Sequence, residues 1–158
     1  MRRSLLILSL LLTVAAHAQT RIGVFLGTQP YESSSDDPRY LPGIELLAQR
    51  GRLGGHLAVD YADLAAGKLI ATHVDAAWVH PLGERASFLV GAGPTYVIVG
   101  GGTKLTWNAE AELARRWGSV EGFVRIRKYD FSFPVFRDRP ASPKGPAGYV
   151  GVRFTLIP

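Results

Sequence analysis

The chain contains no cysteine. That excludes disulfides, thiolate metal sites, cysteine nucleophiles and a lipid-acylated cysteine anchor. It also has no apolar run of the ~20 residues that a spanning helix needs. No Lys/Arg tract carries interleaved aromatics, so nucleic acid is not an expected partner. Glycine is abundant, at 18 residues, but has no collagen period. No internal repeat is longer than a hairpin.

What stands at the N-terminus is an export signal. Arg2 and Arg3 form its positive region, Leu5 to Ala16 its apolar core, and Ala16-His17-Ala18 an A-x-A cleavage site. Residues 1–18 are read as a cleaved signal peptide and 19–158 as one domain. Losing Arg2 and Arg3 leaves 16 basic and 13 acidic residues, so the net charge falls from +5 to +3.

The rest of the chain alternates apolar and polar residues at period two, the signature of strands. The clearest case is the pair of segments from Leu105 to Leu113 and from Val120 to Arg127. One face carries Leu105, Trp107, Ala109, Ala111, Leu113, Val120, Val124 and Ile126; the other carries Asn108, Glu110, Glu112, Glu121, Arg125 and Arg127. Strand candidates fall at roughly 20–28, 42–50, 53–62, 68–80, 86–98, 103–115, 119–131 and 147–157. The connections after the second, fourth and sixth are tight. Those after the first and seventh are long and polar, and 63–67 and 99–102 lie between these extremes. Short turns at one end and longer loops at the other are the pattern of outer-membrane barrels.

Expected registers follow from the turns. Glu110 is placed opposite Arg125, Trp78 opposite Phe88 and His56 opposite His73; a slip of two would keep the faces and change the partners. Pro94 falls inside the fifth strand, where its missing N–H predicts a bulge or distortion.

Periodicity does not say which face meets which medium. A soluble ligand-binding barrel in the periplasm would turn the apolar set inward, whereas a membrane barrel turns it outward. The export signal favours the membrane, as do strand lengths near the ~9–11 residues of a tilted spanning strand. Large aromatics also cluster near strand ends: Trp78, Phe88 and Phe154 at the tight-turn end, Tyr61, Tyr96 and Trp107 towards the loop end. Gly23, Gly54, Ala58, Ala71, Gly91, Gly93 and Ala114 on the polar face suit a narrow lumen.

The last strand, Tyr149-Val150-Gly151-Val152-Arg153-Phe154-Thr155-Leu156, resembles the assembly signal of outer-membrane proteins, with Gly151, Phe154 and Leu156 in the matching positions. The usual terminal aromatic is replaced by Ile157-Pro158. With its strand count, the mature chain resembles the small eight-stranded outer-membrane family of OmpA-type transmembrane domains and OmpX. The resemblance implies an all-β, antiparallel, up-and-down transmembrane barrel. It also implies an outer-membrane location, monomeric state, contact with outer-membrane lipid and lipopolysaccharide, and delivery by the barrel-assembly machinery.

The expected lumen network comprises Glu110, Glu112, Glu121, Arg125, Arg127, Arg153, His56, His73, Asp60 and Asp75. Its opposed charges read as a plug rather than a pathway, since eight strands leave room for side chains and not for a wide pore. A structural or surface-interaction role follows, with narrow-pore transport and a soluble binding barrel as the alternatives. No cofactor or metal is expected, because the histidine and carboxylate spacing has no metal pattern. Catalysis is not expected either: Ser132 has no histidine on its neighbouring strands to act as base. The first long loop carries Glu32, Asp36, Asp37 and Arg39, net −2; the last carries Arg137, Asp138, Arg139 and Lys144, net +2.

Overall fold

The computed structural model of the chain describes residues 18–30, 39–64, 67–129 and 145–157. Residues 1–17 of the expected signal peptide, most of both long loops, and Ser132 lie outside the described residues.

Eight strands form: β1 (Gln19–Gln29), β2 (Arg39–Arg50), β3 (Leu53–Leu64), β4 (Gly67–Pro81), β5 (Ala86–Val99), β6 (Gly102–Trp117), β7 (Val120–Tyr129) and β8 (Ala147–Ile157). Each pairs antiparallel with its sequence neighbours, and β8 pairs with β1 to close the barrel. Closure removes the free edges that an open sheet would expose. No described helix is long and apolar enough to cross a membrane, a criterion that does not bear on strands.

The apolar set faces outward. Ile22, Val24, Ile44, Val74, Leu105, Trp107, Val124, Ile126, Val150 and Phe154 are all exposed, Trp107 to 73%. The polar set is inside: Asp60, His73 and Arg127 have no exposed surface at all. This is the arrangement of a membrane barrel and the reverse of a soluble ligand-binding barrel.

All three expected registers move by two residues. Glu110 faces Arg127 and Glu112 faces Arg125. Trp78 faces Val90, and His56 faces Asp75 rather than His73. The reason is where the turns sit. Trp117 pairs with Val120, leaving a two-residue turn at Gly118-Ser119, with Gly118 at a φ of 64°. Such a turn needs a left-handed residue, which glycine supplies without a Cβ clash. Arg50 likewise pairs with Leu53 across Gly51 and Arg52.

The expected difference between the two ends holds for only two connections. Val99 pairs with Gly102 across Gly100-Gly101, as tight as any turn at the opposite end. Leu64 pairs with Gly67 in the same way. The long connections therefore join β1 to β2 and β7 to β8. These four strands are adjacent in the closed order, so both long loops leave one side of the mouth.

Pro94 produces an interruption without a bulge. The β4–β5 ladder runs from His73–Thr95 to Ala76–Ala92 with no inserted residue, skipping the pairs at Pro94 and Gly93. On the other side, Pro94–Trp107 and Gly93–Asn108 pair normally. Asn108 stitches the gap: its side-chain amide donates to the Gly93 carbonyl at 3.1 Å and to Asp75 Oδ1 at 2.7 Å. The bulge that is present lies at Thr20/Arg21, in the β1–β8 seam.

Candidate functional site

Period-two strands deliver every inward side chain to one narrow space, so the lumen is the place where charged groups must meet. Among the described residues, six buried carboxylates lie there, Glu45, Asp60, Asp75, Glu110, Glu112 and Glu121. They face four buried guanidiniums, Arg21, Arg125, Arg127 and Arg153, and two buried imidazoles, His56 and His73. A lone buried charge is too costly to keep, so such groups are paired and hydrogen-bonded.

The pairing runs the length of the lumen. At the tight-turn end, Arg21 reaches Glu121 at 3.1 Å and the side-chain oxygens of Gln19 at 2.6 Å and Gln49 at 2.8 Å. Arg153 links Glu121, at 3.0 Å, to Glu112 and Glu45. Arg125 joins the same two, at 2.6 Å from both Glu112 and Glu45. Next, His56 sits between carboxylates, with Nδ1 2.7 Å from Glu110 and Nε2 3.2 Å from Glu45. Arg127 donates to Glu110 at 2.6 Å and lies 3.6 Å from Asp60. Asp60 then accepts from Tyr149 at 2.7 Å and faces His73 Nε2 at 3.2 Å, while His73 Nδ1 meets Thr95 at 2.8 Å.

All ten sequence-selected lumen residues lie inside; nine stand in this set of contacts, and Asp75 accepts from the Asn108 amide at 2.7 Å. The pairing of Glu110 with Arg125 is replaced by Glu110 with Arg127; Arg125 Nε stays 3.5 Å from Glu110. Glu45, Arg21, Asn108 and Thr95 complete the network. Asn108 belongs to the polar alternation described above, and Glu45 has the same inward parity on β2; Arg21 and Thr95 stand outside the expected set. Their signal was parity, since Arg21 precedes inward Gly23 by two and Thr95 follows Gly93 by two.

Aromatic rings were missed altogether as lumen groups. Phe25, Phe123, Tyr129 and Tyr149 are buried inside. Three of them lie directly opposite a glycine: Phe25 opposite Gly43, Phe123 opposite Gly151, and Tyr149 opposite Gly27. A Cβ on any of these glycines would overlap the facing ring. The glycines clear the wall so that a ring can lie across the strands. The rings in turn carry cations: Arg153 lies 4.2 Å and Arg125 4.6 Å from the Phe123 centroid, and Arg127 5.4 Å from that of Tyr149. Of the final-strand residues, Gly151 therefore has a packing reason inside the barrel, while Phe154 and Leu156 face outward, 48% and 57% exposed. Towards the loop end the inner wall turns apolar, with Leu41, Ala62, Leu69, Val97 and Val99 buried.

Among the described residues, His56, Asp75 and Glu110 bring ligand-type atoms within 4.8 Å of one another. The second oxygen of Glu110 is held by Arg127 and that of Asp75 by Asn108. The arrangement continues the ion-pair network and resembles no diagnostic metal pattern.

No protein-family model and no curated protein matches the sequence. Solved structures do. Neisserial surface protein A superposes with a TM-score of 0.63 at 12% identity, covering 87% of this chain and 97% of that one. The fold is that of the small eight-stranded outer-membrane barrels. A second such barrel, Ail, the attachment invasion locus protein of Yersinia pestis, was solved with the heparin analogue sucrose octasulfate. It matches with a TM-score of 0.53 at 11% identity, covering 87% of this chain and 99% of that one. At these identities the outer-membrane-barrel likeness speaks to architecture alone.

Proposed function

We propose that this chain is a monomeric outer-membrane barrel with a structural or surface-interaction role, no enzymatic activity and a lumen closed by its charged network. It is exported by its N-terminal signal, folded by the barrel-assembly machinery, and held in outer-membrane lipid and lipopolysaccharide. The observation that carries this reading is the inversion of the faces: an apolar outer surface around a buried polar interior. Closure is supported by the row of guanidinium–carboxylate contacts from Arg21 to Asp60 and by the apolar wall above it. Ions crossing this space would have to break pairs at 2.6 Å.

The surface role rests on the two long loops, of opposite net charge, which leave adjacent strands. The basic one, with Arg137, Arg139 and Lys144, suits anionic lipopolysaccharide or sulfated sugar chains. Membrane fractionation with a heat-modifiability gel tests the location: a heat-dependent mobility shift in the outer-membrane fraction is expected. A soluble periplasmic protein without a shift refutes it. In planar bilayers the protein should be silent, and steady single-channel currents would restore the transport alternative. Replacing the last loop by a short turn should leave the mobility shift intact and abolish retention on immobilised polyanion. Retention without the loop removes the surface-interaction reading.

A further inference from the structure

The outer surface is not uniformly convex. Across β6, β7, β8 and β1 runs an apolar groove of about 890 Å³, starting at the tight-turn end. Its lips there are Leu82 and Trp117, and it continues past Leu113, Val124 and Val152 to Leu26. Gly122 forms part of the floor: an added Cβ would lie 3.0 Å from Trp117 Cζ3. The groove exists because Gly122 and Ala86 flank Arg115 on the neighbouring strands, leaving little beside the outward indole.

Arg115 stands at the mouth of this groove. Its guanidinium is held 5.7 Å from the Trp117 ring centroid and makes no ion pair with a described carboxylate. On this side of the rim Arg85 and Arg115 are exposed, and among the described residues there Glu84 is the one exposed acid. A cation fixed on an aromatic ring at one end of an apolar channel matches the two halves of a membrane lipid. An outward indole at a strand end marks the level of the headgroups, so the guanidinium meets phosphate there.

We propose that this groove is a binding site for one anionic glycerophospholipid of the leaflet at the tight-turn end. Its phosphate sits on Arg115 and an acyl chain lies along the groove over Gly122. Charge complementarity selects an anionic headgroup over a zwitterionic one. The proposal rests on the membrane reading above, and the test separates the two.

The barrel, with Trp78→Phe and Trp107→Phe so that Trp117 alone fluoresces, is placed in bilayers of mixed phosphatidylglycerol and phosphatidylcholine. One lipid at a time carries bromine on its acyl chains. At equal mole fraction, brominated phosphatidylglycerol should quench Trp117 several-fold more than brominated phosphatidylcholine. Arg115→Ala should abolish that preference and Gly122→Leu should diminish it. Arg50→Ala, four strands away on the same rim, should leave it unchanged. Equal quenching by the two lipids overturns the site, as does a preference that survives Arg115→Ala or disappears with Arg50→Ala. Displacement of the brominated lipid by lipopolysaccharide but not by unlabelled phosphatidylglycerol also overturns it. A second form retaining only Trp107 reports insertion: its quenching by either lipid establishes membrane contact. Absence of all quenching there sinks the membrane reading itself.

Discussion

Arg153 holds three carboxylates, Glu45, Glu112 and Glu121, and lies over the Phe123 ring. Removing it leaves three buried acids short of a partner. Arg153→Met should therefore cost about 3–5 kcal/mol, the price of breaking a buried pair from one side. The readout is a lowered urea midpoint for the folded barrel in lipid vesicles. Arg116 makes the contrast. It is half-buried and reaches Glu121 only at 3.5 Å, so Arg116→Ala should cost about 0–1 kcal/mol. Equal losses from both would show that the lumen network carries no special weight. At this scale the sequence told which residues point inward, because parity is preserved whatever the register. It did not tell who meets whom: His56, expected opposite His73, lies opposite Asp75.

Between strands, the glycine–aromatic pairs and the two-residue turns set how neighbours fit. Gly151→Leu should drive the side chain into the Phe123 ring and destabilise β7–β8 pairing by about 1–3 kcal/mol, as overpacking does. Adding Phe123→Ala should recover part of the loss, giving a non-additive double-mutant cycle in unfolding. Strict additivity would mean the two positions do not touch. The register itself is open to a direct check, helped by the absence of native cysteine. Ala111→Cys with Ile126→Cys are opposed positions on the outer face and should oxidise to a disulfide. Ala111→Cys with Val124→Cys, the pairing that a turn one residue earlier would have given, should not. The two-residue displacement in all three hairpins shows why strand pairing was only half legible. Hydrophobic alternation constrains register modulo two. What fixes the remainder is where each turn sits: in the β6–β7 hairpin the left-handed Gly118 takes the first of the two turn positions.

For the molecule as a whole, the decisive quantity is the sign of the faces. Val124 is 53% exposed on the outer wall. Lysine there should cost about 2–4 kcal/mol if it stands near the bilayer midplane, seen as reduced folding into vesicles. Lysine at exposed Arg52, beyond the apolar band, should be neutral. Equal tolerance at both would place water against the outer wall. Architecture was largely readable in advance because strand alternation, turn spacing and end aromatics all depend on short sequence windows. The filling of the lumen was less so. Phe25, Phe123 and Tyr149 look like lipid-facing residues by chemistry; strand parity turns them inward, and the glycines across from them make the room.

The first and last strands are neighbours. The two long loops are borne by β1–β2 and β7–β8, and the joint between them is the pairing of the first strand with the last. A partially zipped chain can display either loop but cannot set them side by side. An antibody whose epitope needs residues of both would therefore act as a clock, staining only molecules whose last strand has already found the first.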